Sequence, residues 1–183
     1  MKRSDKATKL LDSAQKMACN KGYNGFSFRD LAADIGVQSS TVHYYFPTKE
    51  LLGQALAKRY SDKFLFSLGK PEDYSTAKEA VDKYTEIYFK ALVEDKSMCL
   101  FAIMGAEFNA LPTLVKQEAK SFFRTNIEWL EQALRNQSGI QSDVLRYQTA
   151  VKIISTLQGA MIISQTLGSD SYFEAAASAL LDI

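Results

Sequence analysis

Glycine and proline are scarce in this sequence, which holds 9 glycines and 3 prolines among 183 residues. Together they reach roughly half of their usual share in globular proteins. A β-sandwich or a β-barrel needs many turns, and turns are where these two residues concentrate. The scarcity therefore predicts an all-α protein with long helices and few connections.

Cysteine and histidine are too few for most metal and catalytic sites. Cys19 and Cys99 are far apart in the chain and form no CxxC pair, and His43 is the only histidine. A zinc site needs several such ligands close together, so we expect no metal and no other cofactor. The sequence also lacks P-loop, GxGxxG and GxSxG motifs, and we expect a protein that is not an enzyme.

No apolar run is long enough to predict a membrane span. The most apolar segment, from Val151 to Leu167, is interrupted by polar residues such as Lys152 and Gln158. The charged N-terminus is not followed by the apolar stretch of a signal peptide. Together with the unpaired cysteines, these features predict a cytoplasmic protein that has no contact with membranes.

Charge is distributed unevenly along the chain. Residues 1–63 hold eleven lysines and arginines against six acidic residues, a net charge of +5, whereas residues 64–183 carry −4. A basic first third favours contact with a polyanion such as nucleic acid. The alternative is that both parts simply have ordinary solvated surfaces.

Apolar periodicity predicts helices over most of the chain. The first helix begins near residue 4 or 5 and ends at Gly22, and Ser27–Asp30 forms a capping box that opens the second, which ends before Gly36. A third short helix follows at Ser39–Tyr45. Later helices are predicted at about 48–67, 76–94, 97–110, 112–136, 142–167 and 171–182.

The second and third helices, joined by a tight turn at Gly36, have the outline of a helix-turn-helix. The third helix begins with the small polar residues Gln38–Thr41, which can meet base edges in a major groove. It ends with His43–Tyr45, whose side chains can donate hydrogen bonds to phosphate oxygens, and Lys49 adds a cation nearby.

The run from Gly36 to Leu51, GVQSSTVHYYFPTKEL, resembles the signature of the TetR family of bacterial transcriptional regulators. The residues from Ala14 to Ile35 are similar to the family's first two helices, so the resemblance covers about residues 5–55. It implies a homodimer whose paired recognition helices bind a palindromic operator in double-stranded DNA. By position, the implied DNA-binding residues are Ser27, Gln38, Ser39, Ser40, Thr41, His43, Tyr44, Tyr45 and Lys49.

Two positions depart from the family pattern. Gln38 stands where the family usually has Ser or Thr as the helix cap, so either Ser39 takes the cap or Gln38 reads a base. His43 replaces a tyrosine, and it either contacts a phosphate or is a structural or solvent-facing histidine.

The resemblance also implies a larger C-terminal domain that binds a small molecule and dimerises. We expect a helix-turn-helix DNA-binding domain at residues 1–47 and a helical ligand-binding and dimerisation domain at 48–183. The leading interpretation is a repressor that a ligand releases from DNA. The alternative is an activator, or a ligand-independent DNA-binding protein whose C-terminal domain serves only dimerisation.

The segment from Met98 to Phe108 is apolar on nearly all sides and predicts a helix buried on most of them. With neighbouring aromatic residues it lines either a pocket for a small apolar or amphipathic effector or an ordinary core. Glu107 pairs with a buried cation or orients a ligand, and Cys99 is an inert buried thiol or a sensor. The candidate pocket residues are Tyr84, Tyr88, Cys99, Phe101, Met104, Glu107, Phe108, Phe122 and Trp129.

The last two predicted helices carry more apolar surface than one side of a monomer helix requires. Small residues among them allow two helices to approach closely. These features predict a two-fold, four-helix interface, in which both copies use the same patch. The candidate interface residues are Ile153, Leu157, Met161, Phe173 and Ala176.

Overall fold

The computed structural model describes residues 3–135, 140 and 142–180, and within these residues it is helical with no strand. Two single turns of 3-10 helix, Pro71–Asp73 and Phe108–Ala110, lie in the connections. The prediction of an all-α protein is confirmed. The α-helices are α1 (Arg3–Lys21), α2 (Phe28–Asp34), α3 (Ser39–Tyr45), α4 (Lys49–Leu68), α5 (Ala77–Val93), α6 (Leu100–Ala106), α7 (Thr113–Ala133), α8 (Asp143–Leu167) and α9 (Ser171–Ser178).

Local sequence signals account for the boundaries of the first helices. The backbone at Gly22 has φ +81°, a left-handed conformation that suits glycine and ends α1. The predicted capping box is present, since the Asp30 N–H donates to Ser27 Oγ and the Ser27 N–H donates to the Asp30 carboxylate. At the start of α4, the Leu51 N–H donates to Thr48 Oγ1 at 3.2 Å.

The predicted helix over 97–110 is shorter in the structure. Lys96 has φ +45°, and the chain is not helical again until Leu100. The α-helix then ends at Ala106, and Phe108–Ala110 forms a separate 3-10 turn. Leu100, Phe101 and Met104 are buried, but Gly105 and Ala106 are exposed, so this helix is buried on one side rather than on most of them.

For two other helices, the predicted ends fall on residues that the structure does not describe. Helices α7 and α9 begin within a residue of the predicted starts at 112 and 171, and the predicted ends at 136 and 182 lie where the structure is not described. Among the described helices, none combines the length and the apolar character that a membrane crossing requires.

The chain divides into two compact units. Unit 1 comprises residues 1–62 and 100–120, and unit 2 comprises residues 63–99 and 121–183. In unit 1, α2 packs against α3, and α1 packs against α2 and α6. In unit 2, α8 packs against α9 and α5. The predicted boundary at 47/48 separates a DNA-binding domain from a ligand-binding domain by function, not by compactness. It stays a prediction.

Candidate nucleic-acid interface

The helix-turn-helix is built around a buried apolar centre. Leu31 and Val42 are fully buried, and Ala32 is 4% exposed, where α2 and α3 pack together. The turn between them places Gly36 at φ +69°, and the Val37 N–H donates to the Ala32 carbonyl at 2.9 Å. These contacts hold α3 against α2 by one face and leave its other face to solvent.

The outward face of α3 is polar and accessible. Gln38, Ser40, His43 and Tyr44 are exposed, and Tyr44 has 63% of its surface accessible to solvent. The remaining predicted contacts on this helix, Ser39, Thr41 and Tyr45, are partly exposed. The structure therefore brings the predicted residues of α3 together as one polar surface of the size that enters a major groove.

Gln38 is the residue at the amino end of α3, and its side chain makes no capping hydrogen bond. Ser40 Oγ lies 3.5 Å from Gln38 Oε1, at the limit of a hydrogen bond. Ser39 is the first residue of the helix rather than its cap. Of the two alternatives for this position, the one in which Gln38 reads a base is compatible with the geometry.

His43 is placed by contacts at its own end of α3. Its ring packs edge-on against Phe28 at 4.7 Å between centroids, and Nδ1 lies 3.4 Å from the Pro47 carbonyl oxygen. If Nδ1 carries the proton and donates to that carbonyl, Nε2 of the neutral ring is an acceptor. Contact between Nε2 and a phosphate then requires the imidazolium form.

Two of the predicted DNA-binding residues, Ser27 and Lys49, have partners inside unit 1. Ser27 Oγ donates to the Asp30 carboxylate at 2.7 Å, and these Ser27 bonds hold the pKa of Asp30 below its ordinary value. Lys49 is only partly exposed, and its Nζ donates to the carbonyl of Phe26. The same ammonium lies 4.6 Å from the centre of the Phe26 ring. To contact a phosphate, either side chain would have to give up its present hydrogen bond or bind both partners at once.

A pair of carboxylates, which sequence reasoning did not assign to this region, joins residues 100–120 to the helix-turn-helix. Glu107 Oε2 accepts a hydrogen bond from the Tyr23 N–H at 2.9 Å, in the turn after α1. Glu50 Oε1, at the start of α4, accepts one from the Leu114 N–H at 2.9 Å, at the start of α7. We call this reciprocal pair of bonds the carboxylate clamp.

Tyr23 and Lys49 lie next to the carboxylates of the clamp and contact each other. The Tyr23 hydroxyl donates to the Lys49 carbonyl at 2.9 Å, and Tyr23 is 2% exposed. Burial, together with the negative charge of Glu50, raises the pKa of Tyr23 to about 12. Burial lowers the pKa of Lys49, and the carboxylates of Glu107 and Asp30 oppose that shift. The charge of Glu107 thus acts on Lys49, but the described residues show no ion pair between the two side chains, and the role of Glu107 stays a prediction.

The structure divides the candidate pocket residues between the two units. Unit 1 contains four of them, among which Glu107 belongs to the clamp and Phe108 lies under the ammonium groups of Lys116 and Lys120. Unit 2 contains the other five. The members in unit 1 are Phe101, Met104, Glu107 and Phe108, and those in unit 2 are Tyr84, Tyr88, Cys99, Phe122 and Trp129.

Three of the candidate residues of unit 2, Tyr84, Tyr88 and Cys99, belong to a buried chain of hydrogen bonds. The Tyr84 hydroxyl donates to Asn126 Oδ1 at 3.0 Å and lies 3.5 Å from the Tyr88 hydroxyl oxygen. Gln158 Nε2 donates to the Tyr88 hydroxyl at 3.1 Å and lies 3.6 Å from Cys99 Sγ. We call these five residues the buried polar chain. Burial raises the pKa of Tyr84, so that its hydroxyl stays protonated.

Aromatic rings surround the buried polar chain. Phe64 packs edge-on against Tyr84, Tyr88 and Phe122, and Trp129 stacks on Tyr84 at 6.0 Å. Sequence reasoning missed Asn126 and Gln158. Asn126 is fully buried and lies on the same face of α7 as Phe122 and Trp129, so its helical spacing was the available signal.

The predicted interface residues lie on α8 and α9, as expected, but four of the five are buried. Ile153, Leu157, Met161 and Phe173 are fully buried within the single chain. In the conformation described, these four side chains therefore offer no accessible surface to a second copy. Ala176 is partly exposed. The apolar residues that remain accessible on α8 and α9 are Val144, Leu145, Tyr147, Ile162, Ile163, Leu167 and Tyr172.

Among residues 3–135, 140 and 142–180, no three His, Cys, Asp or Glu side chains lie together in a way that could hold a metal ion.

Comparison with known proteins points to one family. Residues 10–56 match the family model described as bacterial regulatory proteins, tetR family. An uncharacterized HTH-type transcriptional regulator of Bacillus subtilis, YuxN, is 25% identical over 142 residues, which are 76% of this chain and 48% of that protein. The chain spans about half the length, or less, of the curated relatives that it matches.

Solved structures share the fold over nearly the whole chain. A TetR transcriptional regulator from Legionella pneumophila is 28% identical, with a TM-score of 0.89 over 98% of this chain and 96% of that one. The structure of AibR in complex with isovaleryl coenzyme A and operator DNA has a TM-score of 0.75 at 18% identity, over 96% and 95% of the two chains.

Proposed function

The chain belongs to the TetR family of bacterial regulatory proteins, and on that premise we propose that it is a cytoplasmic, DNA-binding repressor. It acts as a homodimer that binds a palindromic operator through two copies of α3, and a small molecule bound by the C-terminal helices releases it. The observation that carries the proposal is the polar surface of α3, which is exposed on a helix whose opposite face is fully buried at Val42.

The chemistry of that surface suits readout of base edges. The amide of Gln38 can both donate and accept a hydrogen bond at one base. The hydroxyls of Ser40 and Thr41 can act as donors or as acceptors. Tyr44, near the far end of the helix, has 63% of its surface exposed and suits a phosphate oxygen. We therefore assign sequence readout to the start of α3 and sequence-independent affinity to its end.

The carboxylate clamp supplies a route by which an effector would act on DNA binding. Residues 100–120 belong to unit 1, although the residues on either side of them, up to Cys99 and from Ser121, belong to unit 2. A rearrangement of unit 2 therefore reaches the clamp through the continuous backbone. A shift of α6 would move the acceptor of the Tyr23 N–H, and with it the turn that precedes α2.

The buried polar chain is our proposed effector region. Gln158 Oε1 is buried and has no hydrogen-bond partner among the described residues, so it is an acceptor for a donor group on a ligand. The surrounding rings suit the apolar part of an amphipathic molecule. AibR supports the combination of functions, because a protein of this fold was solved with both operator DNA and an acyl coenzyme A.

In vitro selection from random duplex DNA tests the proposal. We expect enrichment of a two-fold symmetric sequence whose half-sites are centred about one helical turn, roughly 34–36 Å, apart. Replacement of Gln38 by alanine should change the enriched base at one position of each half-site. The matched change Tyr44→Phe should weaken binding to all sequences alike. Enrichment of no sequence, or of one without two-fold symmetry, would contradict the proposal.

A further inference from the structure

One cavity of unit 2 shares no lining residue with the buried polar chain. It has a volume of about 270 Å³ and is lined by Leu92, Val93, Lys96, Ser164, Gln165 and Asp170, among others. Helices α5 and α8 both end here, at Val93 and Leu167. Small-molecule sites in proteins have volumes from about 300 Å³ upwards, and this cavity lies just below that range, so only a small ligand fits it.

Ser164 is the most unusual residue of the cavity wall. It is 2% exposed, and its hydroxyl has no hydrogen-bond partner among the described residues. A serine or threonine within a helix commonly donates to the carbonyl four residues earlier, and Thr166 does so with Ile162 at 2.8 Å. A buried polar group without a partner is costly, and a ligand in the cavity would supply one.

Lys96 lies just after the end of α5 and has a backbone conformation that usually belongs to glycine. Its φ is +45°, in the left-handed region. The next residue holds this turn against α5, since the Ser97 N–H donates to the Ala91 carbonyl at 2.9 Å. Glycine adopts that conformation without strain and a lysine does not. Lys96 thus combines a strained backbone with a side chain that places a cation on the wall of the cavity.

Asp170 supplies the opposite charge. It precedes α9 without capping that helix through its side chain, and within the described residues neither it nor Lys96 takes part in an ion pair. The carboxyl ends of α5 and α8 add partial negative charge through their helix dipoles. The wall therefore offers a cation, an anionic region, a buried hydroxyl and the apolar side chains of Leu92 and Val93.

We propose that this cavity binds a small aliphatic amino acid as its zwitterion. The ligand carboxylate meets Lys96 and accepts the hydrogen bond of the Ser164 hydroxyl. The ligand ammonium meets Asp170 and the carboxyl ends of the two helices, and the aliphatic side chain lies against Leu92 and Val93. A ligand with only one of the two charges leaves one charged residue of the wall without a counterpart.

Isothermal titration calorimetry of the full chain with L-leucine, in the absence of DNA, tests the inference. We expect saturable binding of one leucine per chain. Binding of 4-methylpentanoate, which lacks the ammonium group, and of 3-methylbutylamine, which lacks the carboxylate, should be weaker by about tenfold or more. Absence of saturable heat up to about 10 mM leucine, or equal binding of all three probes, would overturn it.

Three variants assign the binding to this cavity. Lys96→Gly removes the cation and relieves the backbone, so it should raise the melting temperature while weakening leucine binding by about tenfold or more. Asp170→Asn should weaken leucine and the amine but leave the acid unchanged. Ser164→Ala should weaken leucine without lowering the melting temperature.

The control is Lys90→Gln, which removes an exposed lysine of α5 outside the cavity and should leave leucine binding unchanged. Binding of leucine by Lys96→Gly with the affinity of the wild type would overturn the assignment. A loss of equal size in Lys90→Gln would do so as well.

Discussion

A single backbone hydrogen bond joins residues that are 84 positions apart, the Tyr23 N–H and the Glu107 carboxylate. We expect Glu107→Ala to lower the free energy of unfolding by about 1–3 kcal/mol, because the N–H of the buried Tyr23 loses its acceptor. Glu107→Gln should cost less, since an amide oxygen still accepts the bond. Urea unfolding of the three proteins measures the difference.

The control for Glu107 is Glu128→Ala, which removes an exposed carboxylate of α7. Its free energy of unfolding should stay within about 0.5 kcal/mol of the wild type. Equal stabilities of the Glu107→Ala and Glu128→Ala variants would show that the clamp contributes nothing to the fold.

The phenol of Tyr23 predicts how stability depends on pH in the alkaline range. Its pKa is about 12 in the folded chain, against about 10 for an unperturbed tyrosine. The unfolded chain therefore releases this proton first as the pH rises above 10, and the stabilisation that depends on the protonated phenol is lost between pH 10 and 12. Below pH 10 that contribution is fully present.

Comparison with Tyr23→Phe isolates this residue from the other tyrosines. We expect the wild type to be more stable than the variant at pH 9, because the hydroxyl donates to the Lys49 carbonyl. The difference should shrink as the pH approaches 12 in guanidinium titrations. A difference that stays constant over that range would mean that the phenol titrates alike in both states.

Individual residues show where sequence reasoning loses information. The capping box at Ser27 and Asp30 was predictable because its partners are three positions apart. The partner of Glu107 was not, since periodicity carries no information on contacts between distant segments. Lys49 shows the same limit. Its place in the motif indicates a phosphate contact, whereas its ammonium donates to the carbonyl of Phe26.

At the scale of elements, glycine has opposite roles in two helices. Gly53 is buried in α4, and a Cβ atom there would lie 2.5 Å from Tyr23 Cε2 and 2.8 Å from Val115 Cγ2. Alanine normally stabilises a helix relative to glycine, but at this position it would overpack the contact. We expect Gly53→Ala to destabilise the chain by about 1–3 kcal/mol.

The same substitution in α8 is the matched comparison. A Cβ atom at Gly159 would meet nothing within 4 Å. Gly159→Ala should therefore stabilise the chain by roughly 0.5–1 kcal/mol through helix propensity alone. Thermal unfolding of both variants measures whether each substitution raises or lowers the stability. Stabilisation by Gly53→Ala would contradict the packing described for α4.

The short helices α2 and α3 could be predicted because turn and cap residues define both ends of each. The segment 97–110 could not, because its apolar pattern continues through residues that the structure leaves outside a helix. The decisive feature is the left-handed backbone at Lys96. Nothing in the side chain of a lysine indicates such a conformation.

At the scale of the whole molecule, the accessible apolar side chains of α8 are the proposed dimer surface. Ile162, Ile163 and Leu167 are each about half exposed. A charge on a buried two-fold contact is unfavourable in both copies, so Ile162→Glu should convert the dimer to a folded monomer. Sedimentation velocity and circular dichroism measure the two properties, with Glu128→Lys as the control.

A dimer that persists unchanged in Ile162→Glu would contradict this choice of surface. Sequence reasoning placed the interface on α8 and α9, but on residues such as Leu157 that are buried within the chain. Because α8 has apolar residues on all sides, its pattern does not show which face packs on the rest of the chain. The contacts of α8 with α5 and α9 decide that question.

The central claim, that this chain is a sequence-specific DNA-binding regulator, is tested most directly by fluorescence anisotropy. The probe is labelled DNA from upstream of the chain's own gene, with scrambled DNA of the same composition as the control, over a series of salt concentrations. We predict that the upstream DNA binds about a thousandfold more tightly than the scrambled DNA. Equal binding of both, falling steeply with salt, would contradict the account and leave only a basic surface that attracts any DNA.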